Sequence, residues 1–387
     1  MMETLRLELF KRISDYLFAH YRWMSMGSPS GLEPRPLGLV IDLLEYQRLH
    51  HPLYGRYCRL HGREERGTTI LDYPPLPVES FKRADICPFD KSLVTAEFYS
   101  SGTTEGIRSI HKFRDPGLMQ RSIVYTFTSF VSGALHPKSR VFSLMPSSQD
   151  NPHSSLGYMI DALMRILGSE SSGHFFNMSS GLDVSGLCEA LERAYAENAP
   201  VHLMGPAFSY VEFLDATSGH SFKSVPGSCL LETGGYKGRV REIPKSELRD
   251  MLSERLNIPR RAIYGEYGMC ELSSQGYEIS ALNTHGELPD EGLYIFPGWM
   301  KCILYHPETM QPVLPGHEGQ IALLDLCNLD SAAFILTGDV GILEDLPESL
   351  RSRVPGHPSH ALRLLGRAST AVPKGCSMAW EEWAGRV

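Results

Sequence analysis

The sequence predicts an α/β fold in which parallel strands alternate with helical crossovers, followed by a smaller β-rich part. Short apolar runs end abruptly in Gly or Pro turns at 141–146, 201–206, 229–235 and 262–268. Helical patterns lie between or beside these runs at 156–167, 187–198, 207–216 and 246–256. Strands that alternate with helices are typical of parallel sheets, whose ligand loops lie at the carboxyl ends of the strands. We therefore expect a binding site at that edge.

Composition excludes several classes of protein. The chain has 387 residues, 42% of them hydrophobic and 21% charged, with a net charge of -8. A chain of this length buries a sizeable core without disulfides or metals, and its acidic balance argues against a general nucleic-acid binder. No apolar run approaches the ~18 residues of a membrane span, and the amino-terminal residues do not resemble a signal peptide. Eight scattered cysteines without a C-x-x-C pair fit a reducing compartment. We expect a cytoplasmic enzyme.

The remaining elements follow in chain order. Leu5, Leu9, Ile13 and Leu17 stand at i+4 spacing and predict a helix, with Thr4 as its N-cap. Beyond residue 290, the runs GLYIFPGW, MKCILYH and GQIALLDL predict a small antiparallel barrel or sheet. The predicted organisation is an N-terminal helical segment and connector, an α/β core, a β-rich subdomain and a short tail, at 1–70, 71–290, 291–366 and 367–387.

The run Tyr99–Gly106, YSSGTTEG, is the most conspicuous local feature. Small hydroxyl residues and glycines let backbone N–H groups approach and wrap a phosphate. The G-K-[ST] ending of a Walker A loop is missing. Taken alone, the run is also compatible with a Ser/Thr-rich surface turn.

Two later motifs favour the phosphate interpretation. The run YGEYGMCE at 264–271 ends in Glu271, a carboxylate suited to a Mg²⁺ ion that is bound to phosphates. The turn TGDVG at 337–341 carries Asp339, which can accept hydrogen bonds from ribose hydroxyls. Each could be a plain turn, but their order after the phosphate motif predicts a nucleotide site.

The ordered set YSSGTTEG, LETGGYKG, YGEYGMCE, TGDVG and GRASTAVPKG resembles the core motifs of adenylate-forming enzymes. More closely, the chain resembles the LuxE-type acyl-protein synthetases, through PLPVESFK at 75–82, PSSQDNPHSSLGYM at 146–159 and the Lys-Gly-Cys-Ser run near the end. The resemblance spans about residues 70–380. It implies the large N-terminal body of an adenylate-forming enzyme, with the mobile C-terminal domain absent or vestigial.

The resemblance also implies roles for individual residues, with ATP and Mg²⁺ as cofactors. The ATP triphosphate or its pyrophosphate would lie against Ser100, Ser101, Gly102, Thr103 and Thr104. Adenine would be flanked by Gly234 and Gly235, after Thr233. Tyr267 and Gly268 would line the join between nucleotide and acyl chain. Glu271 would hold Mg²⁺, Asp339 would bind the ribose, and Arg367 would mark the boundary at which relatives continue into the mobile domain.

The motifs depart from the usual pattern at three places. The phosphate loop of most relatives continues to a lysine, which is missing here, so Arg108 or Lys112 would have to substitute. Cys270 replaces the threonine that usually precedes the magnesium glutamate. Ala368 and Ser369 replace the hinge acid. These departures argue against an ordinary acyl-CoA ligase.

In the resembled family, a cysteine near the C-terminus accepts the acyl group. Cys376 would take that role, Lys374 would favour its thiolate, and Cys270 is the rival thiol. The implied function is ATP-dependent activation of a carboxylic acid, of the fatty-acid class, with transfer to Cys376 and then to a partner reductase or carrier-like protein. Transfer of the acyl group to CoA, to a carrier-protein thiol or to an amine is the first alternative, and a non-catalytic nucleotide-binding scaffold is the second. An apolar acyl slot is expected near Met145, Met204 and Phe208.

Overall fold

The structure, a computed structural model, describes residues 2–26, 36–100, 107–131, 139–234, 241, 243–282, 292–351, 354 and 358–367. The helices are α1 Met2–Met26, α2 Leu37–His50, α3 Pro52–Leu60, α4 Ser80–Arg83, α5 Gly117–Phe130, α6 Ser155–Leu167, α7 Val184–Ala196, α8 Ala207–Ala216, α9 Lys245–Leu256 and α10 Glu348–Arg351. The strands are β1 Leu76–Pro77, β2 Ala96–Tyr99, β3 Ile110–Phe113, β4 Arg140–Ser143, β5 Gly173–His174, β6 Phe176–Asn177, β7 Gly181–Leu182, β8 Val201–Pro206, β9 Cys229–Thr233, β10 Ile263–Tyr267, β11 Gly276–Glu278, β12 Leu293–Ile295, β13 Met300–Tyr305, β14 Glu318–Asp325, β15 Phe334–Asp345 and β16 His360–Arg367.

The chain folds into two compact units. The first unit comprises 1–125, 268–275 and 292–387, and the second comprises 126–267 and 276–291. Each unit therefore contains segments that are distant in sequence. The four-part organisation expected from the sequence stays a prediction.

The second unit contains the predicted parallel sheet. Its strands run in the order β5, β4, β8, β9 and β10, all parallel, with β11 antiparallel beside β10. Every residue of β4, β8 and β9 is buried, as expected of parallel strands that are covered on both faces. The predicted strands and the helical crossovers α6, α7, α8 and α9 are confirmed.

Side-chain caps define where two of these crossovers begin. The Ser154 hydroxyl accepts a hydrogen bond from the N–H of Gly157 at 3.0 Å, at the start of α6. The Asp183 carboxylate accepts one from the N–H of Gly186 at 2.9 Å, at the start of α7. Each cap satisfies an N–H group that has no partner inside the helix, which stabilises the helix by about 1 kcal/mol.

A buried ion cluster fastens α9 to the parallel sheet. Arg249 has no exposed side-chain area and pairs with Glu232 at 3.0 Å and with Glu278 at 2.8 Å. Lys245 also pairs with Glu278 at 2.8 Å, and the N–H of Gly265 donates to it at 2.7 Å. Although burial acts in the opposite direction, Lys245 and Arg249 lower the pKa of Glu278 to about 2. The cluster links α9, β9, β10 and β11 immediately beside the carboxyl ends of β9 and β10.

The first unit contains an antiparallel sheet. Its strands lie in the order β13, β14, β15, β16 and β12, and β1 pairs with β15 in parallel. The three runs predicted to form a small barrel or sheet correspond to β12, β13 and β14, whereas the sequence runs predict no strand at β15 or β16. Within the described ranges these strands form an open sheet. A separate hairpin joins β2 to β3.

The N-terminal helix is confirmed, but its predicted cap is wrong. Helix α1 begins at Met2, so Thr4 lies inside the helix and is not its N-cap. The helix begins before Thr4, and the negative charge of Glu3 in its first turn interacts favourably with the positive end of the helix dipole. Leu9, Ile13 and Leu17 are 1%, 0% and 0% exposed, as the i+4 spacing predicts.

No described helix is both long and apolar enough to cross a membrane.

The ion cluster predicts an acid-sensitive contribution to stability. Because the pKa of Glu278 is about 2 in the folded protein and about 4.3 in an unfolded chain, its ionised form contributes about 3 kcal/mol above pH 4.3. That contribution is lost as the pH falls from 4.3 toward 2. We expect Glu278→Gln to lower the free energy of unfolding by about 3 kcal/mol at pH 7 and to flatten the acid dependence, measured by urea denaturation at several pH values.

Glu254→Gln is the matched control, because Glu254 lies on α9 and is exposed. It should leave both the stability and its pH dependence close to wild type. An acid dependence of Glu278→Gln equal to that of the wild type would contradict the assignment.

Candidate functional site

In the second unit, Thr233, expected beside the adenine glycines, and Tyr267, expected at the join between nucleotide and acyl chain, lie at the carboxyl edge of the parallel sheet. Thr233 ends β9 and Tyr267 ends β10, and Thr233 lies opposite Glu266 in the strand register. The Thr233 hydroxyl donates a hydrogen bond to the Glu266 carboxylate at 2.7 Å. Burial raises the pKa of Glu266 to about 7, and the Thr233 hydroxyl opposes the rise. The sequence motifs did not single out this carboxyl group.

Gly234 follows β9 in a left-handed backbone conformation, with φ of 69°. A Cβ atom at this position would meet no atom of the described residues within 4 Å, so the backbone conformation is what favours glycine here. This glycine stands at the point where the sequence predicts a nucleotide. Gly235 lies outside the described residues.

In the first unit, the two flanks of the phosphate motif are held together. The Ser100 hydroxyl accepts a hydrogen bond from the N–H of Ser109 at 2.9 Å, and the N–H of Ser100 donates to the Ser109 carbonyl at 3.0 Å. Ser101, Gly102, Thr103 and Thr104 lie outside the described residues. The described flanks thus fix both ends of the segment that the sequence assigns to phosphate binding.

Glu271 is buried in the first unit, with 5% of its area exposed. Burial raises the pKa of its carboxyl group above the usual range. The Ser109 hydroxyl and the charges of Lys82 and Arg367 act in the opposite direction. A buried carboxylate that is under the electrostatic influence of two cationic side chains is suited to ligands that carry both phosphate and a divalent cation.

The residues around Glu271 fit a magnesium ion that is shared with a nucleotide. No group of three or more His, Cys, Asp or Glu side chains arranged to hold a metal occurs among the described residues. Proteins usually bind Mg²⁺ through one or two carboxylates, with the remaining ligands supplied by water and substrate phosphates. A single buried carboxylate with a raised pKa is stabilised in its ionised form when a cation binds beside it.

A hydrogen-bonded hub holds the segment that follows Glu271. The Asp325 carboxylate accepts hydrogen bonds from the N–H groups of Ser273, Ser274 and Cys327, at 2.9, 2.8 and 2.9 Å, and from the Ser274 hydroxyl at 2.7 Å. The Asn328 side chain donates to the Glu271 carbonyl at 2.8 Å and accepts from the Ser273 hydroxyl at 2.6 Å. The loop between β14 and β15 thereby fixes the backbone that carries Glu271.

Asp339 and Arg367, predicted for separate roles, are cross-strand neighbours on β15 and β16. Their side chains form an ion pair at 3.3 Å. The Arg367 side chain is 82% exposed, so the pair contributes little to stability, and either partner is able to contact a ligand instead. Gly268 lies in the same unit and is exposed.

The expected acyl acceptor Cys376 and its neighbour Lys374 lie outside the described residues. Cys270, the rival thiol, is buried, and burial raises its pKa well above the usual range. Burial likewise raises the pKa of each of the other described thiols, which are Cys58, Cys87, Cys188, Cys229, Cys302 and Cys327. A thiol in such surroundings is a poor nucleophile because its thiolate is rare.

Of the two cations considered as substitutes for the missing lysine, Lys112 forms an ion pair with Asp85 at 2.7 Å, and Arg108 is exposed. Lys82 is the cation whose charge reaches Glu271 together with that of Arg367. Lys82 ends the run PLPVESFK, and the sequence motifs predict no role for it.

The residues expected in an acyl slot differ in burial. Met204 on β8 is 0% exposed and Phe208 on α8 is 6% exposed, whereas Met145 is half-buried. The slot stays a prediction.

Comparison with solved structures shows which fold the chain has. The chain superposes on 2-hydroxyisobutyryl-CoA ligase in its thioesterification state, with a TM-score of 0.60 and 12% identity, covering 90% of this chain and 70% of that one. The open conformation of the same ligase gives a TM-score of 0.58 at 12% identity, covering 89% and 77%. The chain also spans about half, 48%, of MatB from Rhodopseudomonas palustris, at 15% identity and a TM-score of 0.46, with 71% of this chain covered. The fold is that of the adenylate-forming ligases, as predicted.

The family follows from sequence comparison. The family described as acyl-protein synthetase, LuxE, matches residues 37–383, and the chain belongs to this family. A long-chain-fatty-acid–luciferin-component ligase from Aliivibrio fischeri is 21% identical over 350 residues, covering 88% of this chain and 86% of the relative. The prediction of a ligase of the acyl-adenylating class is confirmed by this membership.

The hub around Asp325 predicts a large loss of stability when its charge is removed. We expect Asp325→Asn to lower the free energy of unfolding by about 3 kcal/mol. The amide nitrogen of asparagine would face N–H and O–H groups that now donate hydrogen bonds to the carboxylate. Urea denaturation with tryptophan fluorescence measures the change. Asp345→Asn, at a position with an 81% exposed side chain, is the control and should change stability by less than about 0.5 kcal/mol. Equal free energies of unfolding in the two variants would contradict a stabilising role for the hydrogen bonds of Asp325.

Proposed function

We propose that the protein activates a carboxylic acid with ATP and Mg²⁺ to acyl-AMP and then transfers the acyl group to the thiol of Cys376. A partner protein receives the acyl group from this thioester. The observation that carries the proposal is the buried carboxylate of Glu271: burial raises its pKa, while the Ser109 hydroxyl and the charges of Lys82 and Arg367 act in the opposite direction. The name of the relative from Aliivibrio fischeri supports a long-chain fatty acid as the substrate, and the family description, acyl-protein synthetase, supports a protein as the acceptor.

The first half-reaction forms a mixed anhydride. A carboxylate oxygen of the acid attacks the α-phosphorus of ATP, the bond from that phosphorus to the bridging oxygen breaks, and pyrophosphate leaves. Bound Mg²⁺ would supply charge neutralisation at the phosphates. Glu271 would hold the metal, Lys82 and Arg367 would add positive charge, and Asp339 would accept hydrogen bonds from the ribose. Positioning and charge stabilisation, more than a general base, are what this transfer needs.

The second half-reaction forms a thioester. The thiolate of Cys376 attacks the acyl carbonyl, the bond to the AMP oxygen breaks, and AMP leaves as its anion, while the thiol proton passes to solvent. The high pKa of every described thiol supports Cys376 as the acceptor, because none of the described thiols is activated.

The adenylation step predicts acid-dependent exchange of labelled pyrophosphate into ATP. We expect exchange with fatty acids of suitable chain length, and a reduction of about 100-fold in Glu271→Gln because the metal carboxylate is lost. Glu318→Gln, an exposed position on β14, is the control and should exchange like the wild type. Absence of exchange by the wild type with every acid of a broad panel would sink the adenylation proposal and favour a non-catalytic scaffold.

The acceptor step predicts a covalent thioester. Incubation with ATP, Mg²⁺ and the acid should add the mass of one acyl group to the intact protein, and hydroxylamine should remove it. Cys376→Ala should abolish the adduct while retaining pyrophosphate exchange, whereas Cys188→Ser, at a half-buried position on α7, should keep both. An unchanged adduct in Cys376→Ala would move the acceptor elsewhere. Formation of acyl-CoA without an enzyme adduct would favour CoA as the acceptor.

A further inference from the structure

His111 is a fully buried histidine on β3, the strand that follows the phosphate motif in sequence, and the proposed reaction gives it no chemical step. Both ring nitrogens form hydrogen bonds inside the first unit. Nδ1 lies 2.9 Å from the carbonyl oxygen of Cys270, and Nε2 lies 2.7 Å from the hydroxyl of Ser331. The ring thus joins the residue before Glu271 to the loop between β14 and β15.

The partners fix which nitrogen carries the proton. A carbonyl oxygen only accepts, so Nδ1 is protonated and donates to Cys270. Burial lowers the pKa of His111 to about 4, so the ring is neutral and Nε2 is free to accept from the Ser331 hydroxyl. His111 is therefore a donor of fixed direction, and not a cation.

The backbone of Glu271 is held on both sides. The Cys270 carbonyl belongs to the peptide group that precedes Glu271, and it accepts from His111. The Glu271 carbonyl belongs to the following peptide group, and it accepts from Asn328 at 2.8 Å. Two restrained peptide planes leave the main chain at Glu271 little freedom, so the direction in which its Cα–Cβ bond points is set.

We propose that His111 is a positioning residue that, together with Asn328, aims the Glu271 carboxylate for the divalent cation of the bound nucleotide. This inference rests on the proposed function, because it assumes that Glu271 binds the cation. Residues that orient a metal ligand without touching the metal change metal affinity by 10–100-fold when they are lost.

A purely structural role for His111 is the competing explanation. Its ring packs against Phe113 at 4.2 Å and Phe81 at 5.6 Å between centroids, so any substitution disturbs the core. A test must therefore separate loss of packing from loss of the directed hydrogen bond. Asparagine and glutamine do so, because the Asn amide nitrogen replaces Nδ1, whereas that of Gln replaces Nε2.

The experiment measures binding of Mn²⁺ by electron paramagnetic resonance in the presence of α,β-methylene-ATP, which cannot be adenylated. We expect His111→Asn to bind Mn²⁺ within about threefold of the wild type and His111→Gln to bind about tenfold more weakly. Ser331→Ala leaves the ring in place and removes the contact that orients Nε2. It should weaken Mn²⁺ binding about threefold. Because it leaves the core ring in place, this variant tests the positioning role even if His111→Gln does not fold.

His51 provides the matched control, since it is another buried histidine of the first unit and burial lowers its pKa to about 4 as well. His51→Gln should reduce thermal stability without changing Mn²⁺ affinity. If His111→Gln and Ser331→Ala bind Mn²⁺ like the wild type, the positioning role is overturned while the proposed function stands. If the wild type itself binds no nucleotide-dependent Mn²⁺, both the metal role of Glu271 and this inference are overturned.

Discussion

The Asp325 carboxylate accepts four hydrogen bonds in the interior of the first unit, and the backbone that follows Glu271 in that unit depends on it. The bonds join residues 273–274 to the end of β14, which lies about fifty positions further along the chain. A buried carboxylate is costly unless it is fully hydrogen-bonded, and this one is matched by donors with defined directions. A conformation in which residues 273–274 shifted relative to β14 would therefore leave the buried Asp325 carboxylate without these hydrogen-bond donors.

The same loop between β14 and β15 also receives the N-terminal helices. Arg6 on α1 pairs with Asp330 at 2.6 Å, and the Gln47 amide on α2 donates to the Asn328 carbonyl at 2.8 Å. The N–H of Ala333 donates to the Gln47 side chain at 2.9 Å. Elements from the beginning, middle and end of the sequence thus converge on one short loop, so the N-terminal helices support the site without supplying its chemistry.

Sequence reasoning predicted the parallel strands, the crossover helices and the family, because periodicity and short motifs are local properties of the chain. It also proposed Glu271 as the metal ligand and Asp339 as the ribose ligand from local motifs, and both roles stay predictions. It missed His111 and Asn328, whose partners lie 159 and 57 positions away, since no spacing pattern encodes such contacts. Lys82 was overlooked because a lone lysine in a short helix has no signature until the fold brings its charge near Glu271.

The raised pKa of the described thiols affects where the activated acyl group is able to go. Acyl-AMP is a reactive anhydride, and any ionised cysteine near it would capture the acyl group in a dead-end ester that no partner could unload. Cys270 stands next to the proposed metal ligand, yet its burial keeps it protonated. An apolar environment thus acts as a protecting group, in the synthetic chemist's sense. In the proposed reaction, this protection would keep the acyl group from the thiol that adjoins the proposed metal ligand.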